Sequence, residues 1–269
     1  MRKIAAALIA LTLAATAASA QRRGRFGYGP SLPENPKYDG AFQFCRIAFR
    51  NAPNGDGGGW WVDYPRADQN LTFRLSELTT TPVSLNGPNN YNHAVLRLTD
   101  VTSVSKCAFI MITEPGGAYF DEDEAKGLRE YLQRGGFLWA DDFWGKYAWD
   151  HWLGELRKAL PAGEFAVTDV PMEHPIFHML YDVRELPQIP SIGFWFGTGG
   201  ATSERGRDSA VPHARGAFDA SGHMVVFMTH NTDFGDAFER EGDMREYFNV
   251  FASRGYAVGI NVILYAMTH

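Results

Sequence analysis

The segment CAFIMITEPGGAYFDEDEAKGLREYLQRGGFLWADD, residues 107–142, decides the fold because it holds two apolar runs on either side of one helical pattern. The runs CAFIMIT (107–113) and FLWAD (137–141) are typical of strands that are covered on both faces. Between them, Asp121 is placed to cap a helix and Glu124 follows three residues later, as in a capping box. A strand, a helix and a second strand in this order predict a parallel pair of strands.

Further apolar runs extend this pattern in both directions along the chain. FQFCRIAF (42–49), IGFWF (192–196) and MVVFMTH (224–230) are predicted strands. NLTFRLSELTTT (70–81) has leucines at helical spacing behind an asparagine that can cap, and the last residues, YAVGINVILYAMTH, predict a core helix whose apolar run is shorter than a membrane span. Strands that alternate with helices predict an α/β fold with a mostly parallel sheet and helices on both faces.

A helix is also predicted directly after the strand FLWAD, from about residue 143 to residue 160. Asp142 is the predicted cap of this helix, since aspartate at that position can accept a hydrogen bond from the first turn. Its predicted buried face is formed by Ala148, Trp152, Leu156 and Ala159.

The amino-terminal region predicts export from the cytoplasm. Residues 1–20 combine a basic start, an apolar run and the small residues Ala18-Ser19-Ala20, which is the pattern of a cleaved secretory signal. Residues 21–40, rich in glycine, proline and arginine, predict an extended leader, and residues 41–269 a single domain. The expected location of the mature chain is the periplasm or the exterior, with no transmembrane segment.

Charge and cysteine content restrict the function further. Removal of residues 1–20 takes away two of the 25 basic residues and leaves 23 against 31 acidic ones, a net charge of −8. This balance argues against a nucleic-acid partner. Cys45 and Cys107 both lie in or beside predicted buried strands, so the pattern favours two buried thiols over a disulfide.

The predicted functional edge follows from the predicted sheet. Ligands of such sheets bind outside the carboxyl ends of the strands. The predicted strand ends offer Asp141 and His230 as catalytic candidates, which would activate a water molecule. The ligand-binding candidates at the same ends are Glu114, Asp142, Asn231 and Asp233. Local capping and turn formation are the alternative roles of Asp142, Asn231 and Asp233.

The polar loop GTGGATSERGRDSAVPHARG, residues 197–216, is the second candidate ligand site. Backbone amides of a glycine-rich loop together with arginines can hold an anion. The candidates in this loop are Ser203, Arg205, Arg207 and His213. Internal ion pairs with Glu204 and Asp208 are the alternative, because these acids alternate with the arginines. No standard metal-binding spacing is present, and the sequence predicts no particular cofactor.

The order strand, EPGG, acid-capped helix and GGFLW resembles the class I glutamine-amidotransferase-like superfold, which implies a flavodoxin-like arrangement of the sheet. Nearly the whole mature chain is similar to a bacterial family, domain of unknown function 4159. The similarity is carried by GGWWVDYPRADQNLTFRLSELT, GGFLWADDFWG, TSERGRDSA, MTHNTD and other segments across about residues 41–269. Members of that family are often exported, and some resemble partners of operons that encode a MoxR-type ATPase and von Willebrand A domains.

One departure from the amidotransferase pattern bears on function. That fold places a cysteine nucleophile in the turn from strand to helix, whereas the comparable turn here reads Trp139-Ala140-Asp141-Asp142-Phe143. This departure argues against amidotransfer or cysteine proteolysis at this point. The sequence favours an exported binding domain that takes a polar ligand or an envelope partner. The alternative is a hydrolase, with or without a metal, that acts on an envelope carbohydrate or peptide and uses Arg205 or Arg207 to hold an anionic group.

Overall fold

A computed structural model describes residues 27–269, so the predicted signal peptide lies outside the described residues. Its strands are β1 (Phe44–Ile47), β2 (Arg50–Asn51), β3 (His93–Leu96), β4 (Phe109–Thr113), β5 (Ala118–Tyr119), β6 (Phe137–Asp141), β7 (Ala166–Asp169), β8 (His213–Phe218) and β9 (Met224–His230). Its helices are α1 (Arg66–Leu78), α2 (Val101–Val104), α3 (Glu122–Gln133), α4 (Gly145–Ala159), α5 (Ile192–Gly197), α6 (Phe234–Glu239), α7 (Arg245–Tyr247) and α8 (Ser253–Thr268).

Seven strands form one sheet in the order β3-β1-β4-β6-β9-β8-β7. The first five run parallel, and β8 is antiparallel to both of its neighbours. The central strands are continuous apolar runs because helices cover both of their faces. The predicted single α/β domain with a mostly parallel sheet is confirmed, and its arrangement is consistent with a flavodoxin-like fold.

Two apolar layers lie on the two faces of the sheet. One layer joins Leu138 and Ala140 of β6 to Leu128 of α3 and to Trp152 of α4. The predicted buried face of α4 is confirmed, since Ala148, Trp152, Leu156 and Ala159 all lie in this layer. The other layer joins Phe137 and Trp139 of β6 to residues of α1, α6 and α8. Successive residues of β6 therefore face different helices, as the strand period requires.

The predicted capping box of α3 is present: the Asp121 carboxylate accepts from the Glu124 amide, and the Glu124 carboxylate accepts from the Asp121 amide. Other predicted boundaries shift. The helix expected at 70–81 is α1, which begins at Arg66, and Asn70 donates instead to the Phe238 carbonyl at 2.8 Å. The strand expected at 42–49 is reduced to β1.

The predictions for IGFWF and for the two cysteines are wrong. IGFWF is not a strand but the short helix α5, in which no residue is buried and the Phe196 side chain is 67% exposed. An apolar run predicts burial, yet β6 is already flanked by β4 and β9, so no place in the central sheet is open to it. Cys45 and Cys107 are not free thiols but form a disulfide, because Cys107 lies two residues before β4, the sheet neighbour of β1.

The described part of the leader, residues 27–40, contains no helix or strand and lies against the fold. Asn35 exchanges two hydrogen bonds with the backbone of Val95 in β3, at 2.7 and 2.9 Å. It thereby satisfies backbone groups of an edge strand that would otherwise be open to pairing with another chain.

The last helical region, residues 245–268, includes a π-helical turn at Phe248–Ala252 and ends with α8. It is long and apolar enough to cross a membrane by length and composition alone. Most of this region is buried inside the fold, where α8 packs beneath the sheet, as expected of a core helix.

Candidate functional site

Three parallel strands are each followed by a residue whose backbone is left-handed. Glu114 follows β4 with φ 49°, Asp142 follows β6 with φ 59°, and Asn231 follows β9 with φ 61°. Asp63, in the turn before α1, has φ 62°. Residues other than glycine seldom adopt this conformation, and backbone strain of this kind is concentrated at ligand-binding sites and functional turns. These residues indicate that the carboxyl edge of the sheet is where a ligand-binding site is expected in the described part of the chain.

Asp141, at the end of β6, is fully buried and its carboxylate is fully engaged. Its Oδ1 accepts from the Thr229 hydroxyl at 2.5 Å, and its Oδ2 accepts from the amides of Phe234 and Gly235 at 2.8 and 3.1 Å. The carboxylate therefore caps the first turn of α6. Burial raises the pKa of Asp141 to about 7, although these hydrogen bonds oppose the rise.

His230, at the end of β9, contacts a different set of residues. One ring nitrogen lies 2.9 Å from the Gly145 carbonyl and the other 3.0 Å from the Arg215 guanidinium. The ring also packs against Phe143 and Trp149. Burial and the charge of Arg215 lower the pKa of His230 to about 4, although the hydrogen bond to Gly145 opposes the fall, so the ring is neutral at neutral pH.

Asp141 and His230 lie on opposite faces of the sheet. Asp141 bonds to Thr229, and the next residue of the same strand, His230, points to the other face because strand side chains alternate. Asp141 belongs with the layer of α6 and α8, and His230 with that of Phe143 and α4. The two candidates for a catalytic pair are therefore not brought together.

The prediction that Asp142 caps α4 is wrong. The cap position is Trp144, whose side chain makes no capping bond. The first amides of α4 are satisfied from elsewhere: the Gly145 amide donates to Asn231 Oδ1 at 2.7 Å and the Lys146 amide donates to Asp208 Oδ2 at 2.9 Å. Asp142 instead accepts from the Trp144 indole at 2.8 Å.

Glu114 faces the glycine-rich turn before α1. Its Oε2 accepts from the amides of Gly58 and Gly59, the latter at 2.8 Å. Burial raises the pKa of Glu114 to about 7, Asp56 and Glu204 add to the rise, and the Gly59 amide and Arg205 oppose it. Backbone amides of the glycine-rich turn thus hold the Glu114 carboxylate at the carboxyl edge of the sheet.

The polar loop at 197–216 is less irregular than predicted, since it contains a single turn at Gly206–Ser209 and the start of β8. Ser203 bonds to the Gly206 carbonyl and to the Ser209 hydroxyl within the loop. Arg205 reaches Asp56 at 3.2 Å, and Arg207 is exposed. His213 lies in β8 with its ring 5.8 Å from that of His230.

These contacts favour a structural use of much of the loop, because Asp208 and Asn231 together anchor it to the start of α4. Asn231 also donates to the Val211 carbonyl at 2.8 Å, which ties the end of β9 to the loop. The roles of Ser203, Arg205, Arg207 and His213 in holding an anion remain predictions.

Three buried carboxylates converge at the carboxyl edge: Asp63, Asp142 and Asp233, which together form the acidic triad. One oxygen of each lies within 4.8 Å of an oxygen of the other two. Their side chains are 8%, 6% and 5% exposed. Burial raises the pKa of each well above its usual range, and the charges of Asp142 and Asp63 both raise that of Asp233.

A second acidic group consists of Asp63, Asp236 and Glu239. At this point the protein supplies its own cation: Arg240 lies 3.5 Å from Asp236 and 2.7 Å from Glu239. Asp236 also accepts from the Ile192 amide at 2.5 Å. The second acidic group therefore contains an ion-pair partner for two of its acids, whereas the described residues give the acidic triad none.

Two members of the acidic triad, Asp142 and Asp233, are candidates on sequence grounds, whereas Asp63 is not. Asp63 lies in GGGWWVDYPRAD, where the aromatic residues draw attention first, and Trp60 is buried in the core. No local spacing links residue 63 to residues 142 and 233. Only the sheet order and the turn before α1 bring them together.

A cleft of about 310 Å³ opens at the opposite, amino-terminal edge of the sheet. Among the described residues, its lining includes Phe42, Ala108 and the disulfide, with Lys106 as the one charged residue. No carboxylate or histidine of the described chain lines this cleft, so it lacks the groups that bind cations or activate water. The carboxyl edge is therefore the better candidate.

Comparison with known proteins gives one finding on identity. No curated protein matches the chain. A family model described as a domain of unknown function, DUF4159, matches residues 44–267, which is most of the chain and includes every residue of the acidic triad. The chain is a member of the DUF4159 family.

Proposed function

We propose that this chain is an exported binding domain of the cell envelope, without amidotransferase activity, whose carboxyl edge takes an electropositive ligand. A metal ion and the ammonium group of a small envelope component share that chemistry. The proposal of export rests on the signal-like residues 1–20, and the absence of a cysteine in the turn after β6 supports the lack of amidotransfer.

The observation that carries the proposal is the acidic triad. Three carboxylates within 4.8 Å of one another are buried with no basic side chain hydrogen-bonded to them among the described residues. Burying one unpaired carboxylate is costly, and three together repel one another. A fold with this arrangement either keeps some of these carboxyl groups protonated or binds a positively charged ligand at them.

The same geometry is a weaker basis for the hydrolase alternative with Asp141 and His230. A general base must reach the proton that it removes, either directly or through one water molecule. Both side chains are occupied by other partners on opposite faces of the sheet. The binding function needs no such pair.

Thermal unfolding of the mature chain, residues 21–269, tests the proposal. We expect divalent chlorides or a small diamine such as putrescine to raise the melting temperature at neutral pH, with glucose as the uncharged control. Asp142→Asn is expected to remove that response, because asparagine keeps the oxygen that accepts from Trp144 but not the charge. Equal shifts with glucose and with charged ligands, or a full response in Asp142→Asn, would reject the proposal.

A further inference from the structure

We propose that the acidic triad binds one divalent cation of the calcium type, with Asp63, Asp142 and Asp233 each giving a carboxylate oxygen. The inference rests on the proposed function and names its ligand. The three residues come from the turn before α1, the end of β6 and the cap of α6. Donors from three separate elements converge on one point, and this convergence is the geometry of an ion site.

An unpartnered oxygen points into this site. Asp63 is 8% exposed, and its Oδ2 is buried with no hydrogen-bond partner among the described residues. Buried polar atoms are nearly always paired, so each exception requires an explanation. Asp63 also holds a left-handed backbone, which keeps its carboxylate at this position at a conformational cost.

Gly235 keeps the space beside these oxygens open. A Cβ atom at that position would lie 2.2 Å from Asp63 Oδ2 and 3.4 Å from Asp233 Oδ1. The glycine needs no left-handed conformation at this point, so its role is to leave room. Asp233 Oδ1 already accepts from the Asp236 amide at 2.7 Å, and a carboxylate oxygen has lone pairs for a further partner.

The nearest guanidinium does not neutralise the triad. Arg46 lowers the pKa of Asp63 through its charge, but its N–H groups are directed at Asp68 and at the carbonyls of Trp60 and Val62. The contrast with the second acidic group is direct, because Arg240 forms ion pairs with Asp236 and Glu239 there. An external cation is what the triad lacks.

The donor set selects the type of ion. Carboxylate oxygens without histidine or cysteine suit Ca²⁺, Mg²⁺ and Mn²⁺ better than Zn²⁺. Mg²⁺ keeps several of its waters and is usually held by one or two carboxylates, whereas Ca²⁺ takes about six to eight oxygen ligands in a flexible geometry. Three carboxylate oxygens within 4.8 Å of one another therefore suit Ca²⁺ better than Mg²⁺. Three protein ligands leave positions for water or for a hydroxyl of a bound molecule.

The test uses Tb³⁺ as a luminescent substitute for Ca²⁺, on the mature chain after treatment with EDTA. The Trp144 indole lies 2.8 Å from Asp142 Oδ1, so excitation of tryptophan would sensitise an ion held by Asp142. We expect saturable emission from one Tb³⁺ per chain, displaced by CaCl₂ at lower concentration than by MgCl₂. Asp142→Asn and Asp63→Asn should each reduce the affinity at least tenfold.

Glu239→Gln is the matched control, because Glu239 belongs to the second acidic group and is paired with Arg240. Its Tb³⁺ affinity should equal that of the wild type, and the circular dichroism of all three variants should match the wild type. Emission that survives in both aspartate variants, or that disappears in Glu239→Gln alone, would overturn the site.

The failure of this inference differs from the failure of the proposed function. If the chain shows no sensitised emission and no response to CaCl₂, but putrescine stabilises it through Asp142, the triad binds an ammonium group instead of a metal ion. The ion site is then wrong and the proposed function stands. A chain that responds to neither probe contradicts both.

Discussion

Asp68 and the acidic triad show two ways in which this protein buries carboxylates. Asp68 is fully buried and pairs with the equally buried Arg46, whose Nε lies 3.0 and 3.1 Å from the two carboxylate oxygens. Asp63, only a short distance along the chain, is buried without any such partner among the described residues. The fold therefore supplies an internal cation where an acid has a structural role, and leaves the triad without one.

This difference distinguishes a buried carboxylate with a structural role, Asp68, from the buried carboxylates of the triad, for which we propose a binding role. A buried ion pair adds little over apolar packing, but removal of one partner leaves an unpaired charge. In the triad the unpaired state is the native state. We infer that the fold retains the free-energy cost of burying these unpaired carboxylates because a bound ligand offsets that cost.

The largest predicted effect concerns the buried ion pair of Arg46 and Asp68. Asp68→Asn leaves the Arg46 guanidinium buried opposite an uncharged amide, and we expect a loss of about 3 to 5 kcal/mol in the free energy of unfolding. Urea unfolding followed by tryptophan fluorescence measures it. The double variant Arg46→Met with Asp68→Leu should recover most of the loss. A loss below about 1 kcal/mol would mean that the fold does not depend on this buried pair.

The next prediction concerns pH and depends on three carboxyl groups near the acidic triad whose pKa values are raised in the folded state. Burial raises the pKa of Glu114 and Asp141 to about 7 and that of Asp236 to about 6. Their folded pKa values exceed the unfolded ones, so their contribution to stability is complete below the unfolded values and is lost as pH rises through 6 to 7.

His230 acts in the opposite direction, because its folded pKa of about 4 is below the unfolded value. Its contribution is complete above the unfolded pKa and is lost as pH falls toward 4. The raised carboxyls outnumber it, so in EDTA the free energy of unfolding should fall by roughly 4 to 5 kcal/mol from about pH 5 to pH 8. Urea unfolding at several pH values checks this, and a stability that rises over that range would contradict it.

A smaller effect tests the cap of α4. Asp208→Ala removes the acceptor of the Lys146 amide, and we expect a loss of about 1 kcal/mol. Asp142→Ala should lose less, since Asp142 does not bond to the first turn of α4 and its removal also relieves repulsion within the acidic triad. Alanine is the informative substitution, because asparagine would itself serve as a cap. Urea unfolding compares the two variants, and a larger loss for Asp142→Ala than for Asp208→Ala would restore the sequence-based assignment of the cap.

The sequence predicts the sheet well where local and global signals agree. The apolar runs of β4, β6 and β9, the capping box at Asp121 and the buried face of α4 are all visible in the pattern of residues. The pattern fails at IGFWF, because composition cannot show that the positions beside the central strands are already filled. It also fails at the disulfide, since pairing depends on which strands become neighbours.

The candidate site was predictable only in part. The rule that ligands bind at the carboxyl ends of strands leads to Asp142 and Asp233 without any structure. Asp63 is not at a strand end, and nothing in its neighbourhood marks it as a ligand. The separation of Asp141 from His230 follows from strand alternation, which becomes usable once the register of β6 and β9 is known, because Ala140 pairs with Met228 and Asp141 is therefore next to Thr229.

The most direct test of the central claim is the free energy of unfolding of the wild type and Asp142→Asn, each measured in EDTA and in CaCl₂. We predict that the order of stability reverses. In EDTA the variant is the more stable chain, because one of three mutually repelling carboxylates has lost its charge. In CaCl₂ the wild type is the more stable, because it binds the ion and the variant does so weakly. A variant that is less stable than the wild type by the same amount in both solutions would show that the triad is structural and would contradict the account.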